Sequence, residues 1–114
     1  MDKFFDQMKE YLYMDTEISF EEFSGYYNDL LGHLNPNSSE LSEVELHQAR
    51  FVLLNLNTNA VDRAARKGPQ AKKYKKMAEK SKFWEDALRY RLTQMGLTEK
   101  QIKDAYANLS DQCL

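Results

Sequence analysis

The sequence predicts an all-α fold, a compact bundle of about five helices around a long antiparallel helical hairpin, roughly residues 42–67 and 70–95. Three observations carry that prediction. Apolar residues recur at three- and four-residue steps along nearly the whole chain. Ser/Thr-x-x-Glu/Gln boxes mark helix starts at Ser19, Ser42 and Thr98. Gly68-Pro69 separates two long periodic segments, as expected between a helix end and the next helix start. The 114 residues, 42% hydrophobic and 30% charged, fit one soluble helical domain over 1–114.

The elements follow in order. Residues 2–14 gather Phe4 or Phe5, Met8, Tyr11 and Leu12 on one side of a first helix. Ser19 with Glu22 opens a second, in which Phe20, Phe23, Tyr27, Leu30 and Leu34 form the apolar stripe; Gly25 weakens it. Pro36 is expected to end it at Asn35, since the residue before a proline avoids helical geometry. Ser42 with Glu45 opens the long third helix, which carries two stripes. One is Val44, His47, Phe51, Leu54, Thr58, Val61 and Ala65; the other is Leu46, Ala49, Leu53, Leu56, Ala60 and Ala64. Together they predict a wide buried face and hence the central helix, with a weak point or kink across Asn55–Asn59. Gly68 is expected in the left-handed position and Pro69 in the first turn of the fourth helix. There Tyr74, Met77, Ser81, Trp84, Leu88, Leu92 and Met95 form the stripe, and Gly96 closes it. Thr98 and Gln101, stapled by Leu97 and Ile102, start a short last helix through Leu109, and 110–114 is expected to fray.

Charge divides the chain. Residues 1–50 hold eleven acids and three bases, net −8; residues 51–114 hold thirteen bases and seven acids, net +6. Nine bases crowd the hairpin tip: Arg63, Arg66, Lys67, Lys72, Lys73, Lys75, Lys76, Lys80 and Lys82, with Glu79 the sole acid among them. Arg63, Arg66 and Lys67 suit a helix C-terminus. The lysines from 72 to 76 do not suit a helix start, where each exposed cation costs roughly 0.3–1 kcal/mol against the dipole. Local rules broken without compensation are where function is expected. The tip therefore reads as a surface for a protein partner or for nucleic-acid phosphates, or else as a solvated turn rich in lysine. Docking against the acidic half of the same chain or of a second copy, giving a homodimer, is a further reading. The sequence pI near 5.7 and the lack of any named DNA- or RNA-binding motif weigh against a dedicated nucleic-acid binder.

Eight of the fourteen aromatic residues lie in 1–27, more than two short helices can turn inward. Tyr13 and Tyr26 fall off the main stripes and are expected to be exposed as a protein-interaction surface. Asp29 with His33 and Glu43 with His47 are helical i, i+4 pairs, but two histidines and the lone Cys113 do not make a metal site; none is expected, and no cofactor. No nucleophile elbow, P-loop or glycine-rich fingerprint is present, so an enzyme is not expected. No run approaches the ~18 apolar residues of a membrane span and no signal pattern opens the chain, which points to the cytoplasm. The function these observations favour is a small non-catalytic regulator or adaptor acting by protein–protein interaction. The alternative is a nucleic-acid-binding protein contacting phosphates through the tip at 63–82.

Overall fold

The computed structural model describes residues 1–113. Among them, helices α1 (Asp2–Tyr13), α2 (Phe20–Asn37), α3 (Glu43–Ala65), α4 (Ala71–Gln94) and α5 (Glu99–Asp111) form an all-α bundle without strands, with a 3-10 turn at Ser38–Glu40 after α2. Their caps explain where they begin. Ser42 with Glu45 and Thr98 with Gln101 form complete reciprocal capping boxes. The box expected at Ser19 is half-formed: the serine hydroxyl accepts from the Glu22 amide at 3.1 Å, while the Glu22 carboxylate turns toward Tyr11. Burial and that carboxylate push the Tyr11 phenol up to about 12.

α3 is the central helix, packed along its length on α4 and flanked by α1 and α5. Antiparallel cross-links run down the hairpin. Arg63 reaches Tyr74 near the turn, the Asn57 amide donates to the Ala78 carbonyl at 2.8 Å, and Arg50 meets Glu85 farther along. The asparagine-rich stretch is thus a continuous helix with no break. Asn55 and Asn59 fold back onto carbonyls four residues earlier, and Asn57 ties α3 to α4. Of the two α3 stripes, only that of Leu46, Ala49, Leu53, Leu56 and Ala60 is consistently buried. Val44 and Val61 are 65% and 54% exposed, whereas Gln48, Arg50 and Val52, which lie on neither stripe, are buried, so the buried surface of α3 is displaced from the one the sequence predicts. Leu12 and Met95, expected inside, also lie at the surface.

Three boundaries differ from expectation. α2 runs through Pro36 to Asn37. Pro36 sits in the last turn on the exposed side, where its missing N–H leaves only the solvent-facing Gly32 carbonyl open. The Asn37 side chain meanwhile donates to the His33 carbonyl at 2.9 Å. At the hairpin tip Lys67, not Gly68, adopts the left-handed conformation (φ 55°). Pro69 precedes α4 in a turn closed by the Ala71 amide on the Gly68 carbonyl, at the second turn position where its fixed φ is favourable. At the other end of α4, Gly96 (φ 97°) ends the helix as expected. The Leu97 amide bonds back to Leu92 and the Gly96 amide to Thr93, the paired bonds of a Schellman motif. α5 continues through Asp111, and Leu114, the end of the tail expected to fray, lies outside the described residues.

Candidate functional site

The nine bases of the tip divide into two groups. Three are engaged within the chain. The Arg66 guanidinium closes on Glu17 with its Nη1 at 2.6 Å from Oε2, and its Nη2 donates to Asp62 at 2.7 Å. These bonds hold the Glu17 carboxyl below its usual range. Lys82 is shared by Glu85 and Asp86 at 3.0 and 3.1 Å. Arg63 is half-buried, its guanidinium 4.8 Å from the Phe23 ring centre and 5.5 Å from that of Tyr74, whose hydroxyl accepts from Nη1 at 2.9 Å. Arg63 is therefore not part of an exposed basic surface. Of the nine bases the fold consumes three: carboxylates distant in sequence or adjacent on the helix reach Arg66 and Lys82, and two aromatic rings with the Tyr74 hydroxyl take up Arg63.

The other six, Lys67, Lys72, Lys73, Lys75, Lys76 and Lys80, are exposed. Among the described residues none forms an ion pair. Lys73 lies over the Phe20 ring at 5.4 Å. α4 begins without a side-chain cap and without an acid in its first turn, whereas α2, α3 and α5 each start with a Ser or Thr cap and at least one Glu. The electrostatic misfit at the start of α4 thus persists in the fold.

A helix turns roughly 100° per residue, so the α4 core stripe of Tyr74, Met77, Ser81, Leu88 and Leu92 fixes the opposite face. That outer face carries Lys72, Lys76 and Glu79 in its first half, with Lys80 at its edge, then Phe83, Ala87 and Tyr90 in its second, all exposed. Phe83 is 66% and Tyr90 64% exposed. At ~1.5 Å per residue the strip from Lys72 to Tyr90 is about 27 Å long. Phe83 also meets the half-buried Trp84 edge-to-face, with ring centres 6.2 Å apart. On one flank an open apolar groove runs between α3 and α4, lined by Val61, Ala64 and Ala78 and edged by Lys75, Glu79 and Lys82. Phe83 and Tyr90 are absent from the candidates that charge and aromatic crowding single out. Their signal is the seven-residue spacing opposite the core stripe.

Of the two tyrosines expected at the surface, Tyr13 is there, 74% exposed at the end of α1. Tyr26 is buried: its hydroxyl donates to the Phe4 carbonyl at 2.6 Å, and its ring packs edge-on against Phe4 and Tyr11. Burial pushes its phenol far up. It is a core residue joining α1 to α2 and no part of an interaction surface. Among the described residues no three His, Cys, Asp or Glu side chains converge as a metal would need, and no helix is long and apolar enough to cross a membrane.

Fold and surface together define a class: a small helical bundle presenting one lysine-and-aromatic helix face. No protein-family model matches the chain, and no curated protein or solved structure matches it significantly.

Proposed function

We propose that this protein is a non-catalytic cytoplasmic adaptor or regulator that binds an acidic protein partner through the outer face of α4. The observation that carries the reading is the pair Phe83 and Tyr90, two large aromatic side chains left in water in line with the unpaired Lys72 and Lys76, with Lys80 at the edge of the same face. Exposed aromatic residues supply the anchors of protein interfaces, because they bury much apolar area at small entropic cost. A rim of one sign steers a partner of the opposite sign and adds specificity. Lysine itself is depleted at interface centres, which assigns the lysines to the rim and the aromatics to the core.

The same strip favours a second reading, single-stranded nucleic acid. Lys72, Lys76 and Lys80 would follow the backbone while bases stack on Phe83 and Tyr90. Capture from the source cells with wild type, Phe83→Ser/Tyr90→Ser and Lys72→Glu/Lys76→Glu/Lys80→Glu, each with and without nuclease, separates the two. The adaptor reading expects one nuclease-resistant acidic protein, lost with either variant. It fails if both variants retain the same proteins as wild type. Nucleic acid is indicated instead if labelled oligonucleotides bind with log K falling against log salt by about 2–4, the slope for three to five phosphates on a single strand.

A further inference from the structure

Away from α4's outer face, a cleft of about 250 Å³ opens between the end of α1, the α1–α2 connection and α3. Met8, Leu12, Ile18, Phe23 and Leu56 give it apolar walls, and Asn59 and Arg63 stand on its α3 side. Arg63 is the unexplained group. Arg50, Arg66 and Arg89 each close on a carboxylate, and Arg91 on the Ser38 and Ser39 carbonyls. Arg63 closes on none among the described residues. Its Nη1 has only the neutral Tyr74 hydroxyl, and its Nε is buried with no acceptor. A cation drawn into apolar surroundings is normally met by an anion, since losing water without a partner is costly. Stacking on Phe23 and Tyr74 offsets part of that cost but supplies no acceptor for the remaining N–H groups.

We propose that this cleft is a binding site for a small amphipathic carboxylate, its apolar part lying among Met8, Leu12, Ile18 and Leu56 and its carboxylate on the Arg63 guanidinium. Apolar walls with few converging polar groups are the usual composition of a ligand site, and the volume suits a molecule smaller than a drug. Two acids line the mouth. Glu17 is bonded to Arg66 and feels the Arg63 charge only at a distance, without a hydrogen bond to it, and Asp15 is exposed, where water and salt screen it from the interior. The site is independent of the adaptor reading and stands or falls without it.

The test uses the full chain, with octanoate as probe and octanol and acetate as controls for tail and charge alone. Octanoate at ten times its Kd should raise Tm by roughly 4 °C or more, the rise growing with the logarithm of concentration above Kd. Octanol and acetate at the same concentration should not, and Arg63→Met should abolish the rise. Should that variant fold poorly, amide shift mapping on the wild type gives the answer: octanoate should move Ile18, Asn59 and Arg63 and leave Lys72–Lys80 unchanged. Equal stabilisation by octanol, a rise retained in Arg63→Met, no rise at all, or shifts centred on the α4 lysines would each overturn the site.

Discussion

Arg50 and Glu85 meet inside the α3–α4 hairpin, the guanidinium donating from Nε and Nη2 to one carboxylate oxygen at 3.1 and 2.9 Å. Both side chains are nearly inaccessible, 9% and 3% exposed, and Lys82 donates to the second oxygen at 3.0 Å. Such a pair fixes register more than it stabilises, because desolvating two charges offsets most of their attraction. Removing one partner is a different matter. Arg50→Met should cost about 3–5 kcal/mol by leaving a buried carboxylate short of its cation, whereas Arg50→Met/Glu85→Leu should recover most of that. Urea unfolding measures both; a double variant as unstable as the single one would contradict this role.

Lys72 and Lys73 occupy the first turn of α4 beside the positive end of the helix dipole, with no acid there to offset them. Lys72→Glu should therefore stabilise the isolated protein, by roughly 0.3–1 kcal/mol at low salt, whereas Lys73→Glu also loses the contact with Phe20 and should gain less. Thermal unfolding at low and high salt checks both the sign and its screening. Stability gained as binding is lost is the pattern expected of residues retained for function.

Tyr26 is the buried tie between α1 and α2. Tyr26→Phe keeps the ring and removes only the hydroxyl that donates to Phe4, so it should cost about 0.5–1.5 kcal/mol. Tyr13→Phe, at a 74% exposed side chain, should change unfolding free energy by less than about 0.5 kcal/mol. Equal effects would place Tyr26 at the surface after all.

His47 sets a pH dependence. Burial, aided by Arg50, holds its imidazole below the ordinary histidine value of about 6.5, against the opposing pull of Glu43. The unfolded chain thus takes up a proton before the folded one does. Stability should be highest above pH ~6.5, fall as pH drops from there through the lowered folded value, and level off below it. Tm measured between pH 7.5 and 5 should show that fall in the wild type and a shallower one in His47→Gln. A wild-type Tm that rises on acidification through this range would contradict the sign.

Much of this architecture is legible because its signals are local. Ser42 lies three residues from Glu45 and Thr98 three from Gln101, so both caps are written in adjacent residues, as is the glycine stop at Gly96. Long-range relationships are not written that way. Nothing near Arg66 announces that Glu17, forty-nine positions away, will neutralise it. Nor does residue type separate Tyr13 from Tyr26, whose difference comes from how α2 lies on α1. The two stripes of α3 carry similar residues, and only packing decides that Leu46 is buried while Val44 faces water. Phe83 and Tyr90 are legible in principle as the complement of the α4 core stripe. What conceals them is the default that large aromatic side chains belong inside.

The central claim is that the outer face of α4 touches another macromolecule. The most direct measurement places a photoreactive benzoylphenylalanine at Phe83 in one variant and at exposed Lys103 on α5 in another, in the source cells. The account predicts a discrete, nuclease-resistant protein adduct from position 83, absent from position 103 and lost when Lys72, Lys76 and Lys80 are changed to Glu. No adduct at position 83, or the same adducts from both positions, would contradict it.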